Sequence, residues 1–157
     1  MRRLLITLRL IVAAVFLYAA YTKLREPWLV FAMAIDAYQL LPQWAVLTLG
    51  RTIPWLELLL GLLLATGFAL RIAAPASAIL LGVFFGIMAH AYAQGLKIDC
   101  GCFGFGEPIS AATLLRDGAL LAMSLTLTFL ALRPANNRDS TLKPQFSTNT
   151  RASQIAK

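Results

Sequence analysis

Cys100 and Cys102 are the only cysteines in the chain, and one glycine separates them in "KIDCGCFGFGEP", Lys97 to Pro108. Three chemistries are open to such a pair. The sulfurs can be inert, as buried structural cysteines are. They can join Asp99 and His90 around a metal, although structural zinc sites commonly use two ligand pairs and only one close pair exists here. They can also form a redox dithiol, and strain favours this reading. A disulfide between residues i and i+2 closes a small ring whose preferred Cα separation is hard to reach. The intervening glycine relieves part of that strain. Strained, exposed disulfides are oxidising and labile, which suits transfer better than stapling. Lys97 favours a thiolate and Asp99 opposes it. The expected reaction is exchange through a mixed disulfide with a partner sulfur, resolved by the second cysteine.

Two more ionisable residues interrupt apolar runs. Glu57 lies within "IPWLELLLGLLLATGFAL" and His90 near the end of "IAAPASAILLGVFFGIMAHAYAQ". A carboxylate inside hydrocarbon is costly and usually faces the protein interior with a partner. Lys23, Arg25, Arg51 and His90 are the candidate partners. Glu57 is then either half of a structural ion pair or a proton carrier for the thiols. His90 is either an interfacial residue bonded to a carbonyl or a second proton carrier. Counted from Arg71, the two differ in depth by about 7–8 Å at 1.5 Å per residue. Direct contact between them requires distortion near Pro54 or an intervening water.

The elements that must position these groups follow from composition. Of 157 residues, 59% are hydrophobic and 13% charged, whereas a soluble domain has roughly 45–50% apolar and about 25% charged residues. Four runs approach or exceed the length of about 20 residues needed to cross a bilayer. They cover about 4–22, 53–70, 72–94 and 111–132. The second is expected to begin before Ile53, since "WAVLTLG" is also apolar. The first starts like a signal peptide, but Arg9 cuts it and no A-x-A site follows, so it is expected to remain as a span. Between the first two runs, Trp28, Phe31, Ala32 and Ile35 follow helical spacing. This predicts an amphipathic helix over about 27–38, lying on the membrane surface and anchored by Trp28 and Tyr38. Residues 133–157 are polar and aperiodic, as expected of a disordered tail. The fold class is therefore all-α: an integral membrane four-helix bundle with a short interfacial helix between spans one and two.

Charge placement excludes nucleic acid as the reason for the net charge of +7. With four spans both termini share a side, which holds nine basic residues and one acid, a sum of +8. The opposite side, including the cysteine loop 97–108, holds five basic and six acidic residues, a sum of −1. The positive-inside rule then puts both termini and the tail in the cytoplasm. In a bacterial inner membrane the cysteine loop faces the periplasm, where disulfides persist. Two small-residue stripes complete the pattern: Gly61, Ala65 and Ala69 beyond Glu57, and Ala74, Ala78, Gly82 and Gly86 before His90. Such stripes let helices approach closely, and these two are expected to face one another across a hairpin turning at Arg71.

"DCGCFG" between the third and fourth of four spans resembles the signature of the MauE family, within the wider DoxX-like membrane proteins. "YTKLREPWLVFAMAIDAYQLLP" and "PWLELLLGLLLATG" add to the resemblance, which covers about residues 9–132. Matching positions are Lys23, Glu57, Cys100 and Cys102. The resemblance implies a four-helix membrane protein associated with periplasmic thiol redox, linked to maturation of the disulfide-rich small subunit of methylamine dehydrogenase. It implies a thioredoxin-like protein or a disulfide-containing client as partner. By analogy of architecture with other four-helix membrane oxidoreductases, a quinone is the candidate electron acceptor. The resulting expectation is a thiol–disulfide relay or maturation factor using Cys100 and Cys102, with Glu57 and His90 handling protons. The alternative is a non-catalytic docking and assembly factor whose cysteines form a structural clasp.

Overall fold

Five helices carry the chain in a computed structural model that describes residues 2–96, 98–99, 101 and 108–132. They are α1 (Arg2–Arg25), α2 (Trp28–Asp36), α3 (Gln43–Thr66), α4 (Leu70–Ala93) and α5 (Ala111–Leu132). No strand is present among the described residues; Asp99 and Pro108 form a single antiparallel bridge. Cys100, Cys102, the rest of 102–107 and the tail 133–157 lie outside the described residues.

Helices α1, α3, α4 and α5 are long and apolar enough to cross a membrane. The 24 residues of α3 reach about 36 Å, more than the roughly 30 Å of a hydrocarbon core. It begins ten residues ahead of Ile53, directly after Pro42, whose extended backbone (φ −67°, ψ 151°) serves as the N-cap. It ends at Gly67, where φ of +76° turns the chain and the amide donates to the Leu63 carbonyl. The left-handed backbone favours glycine there, and the Arg9 guanidinium fills the space a Cβ would take and would have to move aside for one.

The core follows from which faces bury small or branched side chains. Val12, Ala13 and Phe16 of α1 meet Leu60 and Leu64 of α3, Ala73 and Ala74 of α4, and Leu127 of α5. Large apolar residues on the opposite faces stay exposed, among them Leu59, Ile72, Ile79, Leu115 and Phe129. That arrangement suits a lipid surround and explains why the composition exceeds what one core can absorb.

Helix pairing departs from the expected meeting of the two small-residue stripes. The main partner of α3 is α1, and that of α4 is α5; α3 and α4 share a turn but little surface. A Cβ on Gly61 would lie 2.9 Å from the Leu17 side chain, so the α3 stripe faces α1. Gly82 looks toward Leu121 of α5, and Gly86 faces open space. A stripe of small residues marks a face that can be approached closely; it does not name the helix that approaches.

The α4–α5 contact carries its own polar lock. Ser77 Oγ and Ser124 Oγ lie 2.9 Å apart, fully buried, and Ser77 also donates to the Ala74 carbonyl. Interhelical hydrogen bonds of this type contribute on average about 0.6 kcal/mol in a membrane setting. Ser124→Ala is therefore expected to lower stability by about 0.5–1 kcal/mol, read as a small downward shift in thermal unfolding in detergent.

Helix α2 lies against α3 with Phe31 and Ala32 buried. The residues expected to anchor it have protein partners. The Arg51 guanidinium stands 5.4 Å from the Trp28 ring centroid, and Tyr38 Oη donates to the Asp99 carbonyl at 3.4 Å.

Candidate functional site

Lys23 sits in the last turn of α1, where the helix meets the middle of α3. Its ammonium Nζ contacts Glu57 Oε1 at 2.6 Å, and the two side chains are 1% and 6% exposed. Of the four candidate partners for Glu57, Lys23 is the one that pairs with it. Antiparallel packing of α1 on α3 brings them level, and close approach at Gly61, one turn further along α3, sets the separation. The ammonium also lies over two aromatic faces, 5.0 Å from the Phe31 centroid and 5.7 Å from that of Phe84. Cation–π attraction of this kind strengthens when the cation is desolvated.

Asp117 completes the cluster from α5. It is 5% exposed, and the neighbouring Arg116 Nε donates to its Oδ1 at 3.1 Å. Lys23, Glu57 and Asp117 line one cavity of about 30 Å³, together with Phe16, Phe84 and Met88. Two carboxylate oxygens in it, Glu57 Oε2 and Asp117 Oδ2, have no hydrogen-bond partner among the described residues. In the sequence, Asp117 entered only as one of the six acidic residues counted on the side opposite the termini. The signal was present: an acid six residues into an apolar helix is expensive unless it faces the bundle interior.

His90 lies elsewhere. It is on the exposed side of α4, with its Nε2 3.1 Å from Gln94 Nε2, and it does not line the cavity that holds Glu57.

The segment bearing the cysteines is fastened at both ends. Ile109 N donates to the Ile98 carbonyl at 3.0 Å, drawing the base of the loop together. Its return into α5 is fixed by a reciprocal cap. Thr113 N donates to Ser110 Oγ at 3.2 Å, and Ser110 N donates to Thr113 Oγ1 at 2.8 Å, satisfying two amides at the helix start. Between Cys100 and Cys102, which themselves lie outside the described residues, Gly101 is buried. Its φ is +67°, and a Cβ there would sit 3.5 Å from Ala34 Cβ and 3.8 Å from the Phe31 ring. A residue with a Cβ would pay roughly 1–2 kcal/mol for that left-handed backbone. The centre of the motif thus rests on α2, on the same Phe31 ring that meets the Lys23 ammonium.

A profile of the family described as methylamine utilisation protein MauE matches residues 1–130. The chain belongs to the MauE family. The match takes in α1 to α4, nearly all of α5 and the Cys-Gly-Cys segment, so every residue of the cluster falls inside it. Four helices long and apolar enough to cross a membrane, together with MauE membership, mark this as a membrane protein. A methylamine utilization protein MauE from Paracoccus denitrificans is 32% identical over 124 residues, covering 76% of this chain and 66% of the relative. The chain therefore spans about two thirds of that MauE protein's length. No solved structure matches the chain.

Proposed function

We propose that this MauE-family protein is a membrane thiol–disulfide relay that acts in methylamine utilisation, on secreted proteins that need their disulfides set. The observation that carries the reading is the Cys-Gly-Cys motif whose central glycine is held, left-handed and buried, against the helix beside the Lys23–Glu57 pair. A motif serving only as a linker needs neither the special backbone nor the docking.

The chemistry is an exchange. A partner thiolate attacks the Cys100–Cys102 bond and forms a mixed disulfide, and the displaced sulfur takes up a proton. The partner's second thiol then closes its own disulfide and releases the reduced pair. Run in the other direction, the same steps reduce the partner. Glu57 is the proton-handling group within the cavity, whereas His90 would have to serve from the exposed face. The loop faces the periplasm of a bacterial inner membrane, with both termini cytoplasmic, and the partner is a thioredoxin-like protein or the client itself.

Cys102→Ser leaves the Cys100 thiolate to attack a partner disulfide, displacing one partner thiolate, with no second cysteine to resolve the product, so a disulfide-linked adduct is expected to accumulate, visible on non-reducing gels and lost with reductant. Growth on methylamine should fail in the same strain. A strain with both cysteines changed to serine that grows normally and traps nothing would instead identify a docking factor.

A further inference from the structure

Arg51 lies within α3, a helix long and apolar enough to cross a membrane, and its charge has no carboxylate partner among the described residues. Its guanidinium rests against the Trp28 ring. Both residues line a pocket of about 310 Å³ between α3 and the α1–α2 connection, together with Glu26, Pro27, Pro54 and Trp55. The register between α1 and α3 fixes the depth of this pocket. Lys23 pairs with Glu57, and from that level Arg51 lies six residues back along α3, about 9 Å at 1.5 Å per residue. Helix α1 ends at Arg25, two residues beyond Lys23, so the pocket sits where α1 leaves the bilayer. Trp28 and Trp55, 41% and 62% exposed, fit the aromatic belt found at a membrane–water interface.

A second hollow, a groove of about 330 Å³, continues from this pocket toward the bilayer centre. Leu24 lines both. The groove adds Leu17, Tyr21 and Leu58, with Arg25 at the α1 end. Leu17 precedes Leu24 on α1 and Leu58 follows Trp55 on antiparallel α3, so both lie deeper. Passing inward, a guest therefore meets a cation and a carboxylate, then tryptophan rings, then an apolar groove. That is the order of a phospholipid from head to chain. Charge decides the kind of head. Lys23 also borders the upper pocket, but Glu57 engages its ammonium. Arg51 and Glu26 remain, one charge of each sign, and no ion pair joins them. A guanidinium presents parallel N–H donors that match phosphate oxygens. A carboxylate accepts from an ammonium. A head with phosphate alone would leave Glu26 unmatched, so a zwitterionic head fits the pocket best.

We propose that the chain binds one zwitterionic phospholipid from the surrounding leaflet. Its phosphate oxygens accept from the Arg51 guanidinium, its ammonium donates to the Glu26 carboxylate, and an acyl chain lies in the groove below. A pocket of about 310 Å³ falls in the range of small-molecule sites, roughly 300–1,000 Å³, so the head enters the space already present. The site stands apart from the thiol chemistry proposed above and holds whichever face of the membrane the cysteine loop occupies.

The test is native mass spectrometry of the full chain, delipidated in detergent and titrated with three lipids that share the same acyl chains. Phosphatidylethanolamine carries phosphate and amine, phosphatidylglycerol carries the phosphate without the amine, and diacylglycerol carries neither. Phosphatidylethanolamine is expected to bind saturably at one equivalent, and diacylglycerol roughly ten- to a hundredfold more weakly, with phosphatidylglycerol between them. Arg51→Gln should weaken phosphatidylethanolamine by a similar factor. Glu26→Gln should bring phosphatidylethanolamine down to the level of phosphatidylglycerol without weakening the latter. Glycerophosphoethanolamine, the same head without chains, should leave the bound lipid in place even in large molar excess. Its displacement of the lipid would mark a site for soluble phosphate esters and overturn the proposal. Equal affinity for phosphatidylethanolamine and diacylglycerol, tighter binding of phosphatidylglycerol, or an Arg51→Gln variant with parental affinity overturns it as well. Both substitutions fall on exposed side chains; should either variant fail to fold, the three-lipid comparison on the parent decides the outcome.

Discussion

Lys23→Met is expected to lower the unfolding free energy by about 3–5 kcal/mol, and Glu57→Leu to do nearly the same. Either change strands one charge in a site where both side chains are almost fully covered. The cost comes from the charge left behind more than from the attraction lost. The double variant Lys23→Met/Glu57→Leu should therefore recover most of the stability, because two apolar side chains suit surroundings that already include Phe16, Phe84 and Met88. Denaturant unfolding in detergent, read for all four members of the cycle, measures the coupling. A double variant as damaged as the sum of the singles would mean that the pair does not act as a unit. Activity separates structure from chemistry. The double variant restores packing without restoring a proton carrier, so a stable protein that no longer supports growth on methylamine assigns the pair a chemical role.

What was legible in the sequence follows from how the bilayer constrains a chain. Lipid offers backbone groups no partners, so long apolar runs have one solution, the spanning helix. That is why the four-span architecture can be read from hydropathy. Phe31 and Ala32, at adjacent positions of the predicted apolar stripe, mark the buried face of α2. The start of α3 at Gln43 was harder to place, because Gln43, Thr48, Arg51 and Thr52 dilute the apolar signal that Pro42 caps. Pairing was not legible at all. The periodic glycines and alanines announce a close approach, but the partner depends on the tertiary arrangement, and Leu17 fills the space beside Gly61. Glu57 stood out as a single acid in an apolar run, yet its partner depended on the register between α1 and α3. The importance of Gly101 could be guessed from its neighbours, but its contact with Ala34 could not, because nothing in sequence links positions so far apart.

Gly50→Val should lift α2 from α3, and its effect should reach the cysteines. A Cβ at position 50 would lie 2.7 Å from Ala32 Cβ and 3.0 Å from Ala32 Cα. The obstacle is partly backbone, so no rotamer change relieves it and the helices must separate. Overpacking of this kind costs about 1–3 kcal/mol, and a β-branched side chain belongs at the upper end. Phe31 and Ala34, on which Gly101 rests, travel with α2, and Phe31 also carries the Lys23 ammonium contact. Displacing the helix should therefore loosen the seat of the Cys-Gly-Cys segment and speed alkylation of the reduced cysteines. Gly86→Val provides the control. It makes the same substitution within a spanning helix, but nothing lies within 4 Å of its Cβ position, so stability should stay within about 0.5 kcal/mol of the parent and alkylation should be unchanged. Equal effects from the two valines would show that lost glycine flexibility, rather than the α2–α3 contact, governs the loop. A Gly50→Val protein that is destabilised but alkylates at the parental rate would show that the loop does not depend on α2 for its position.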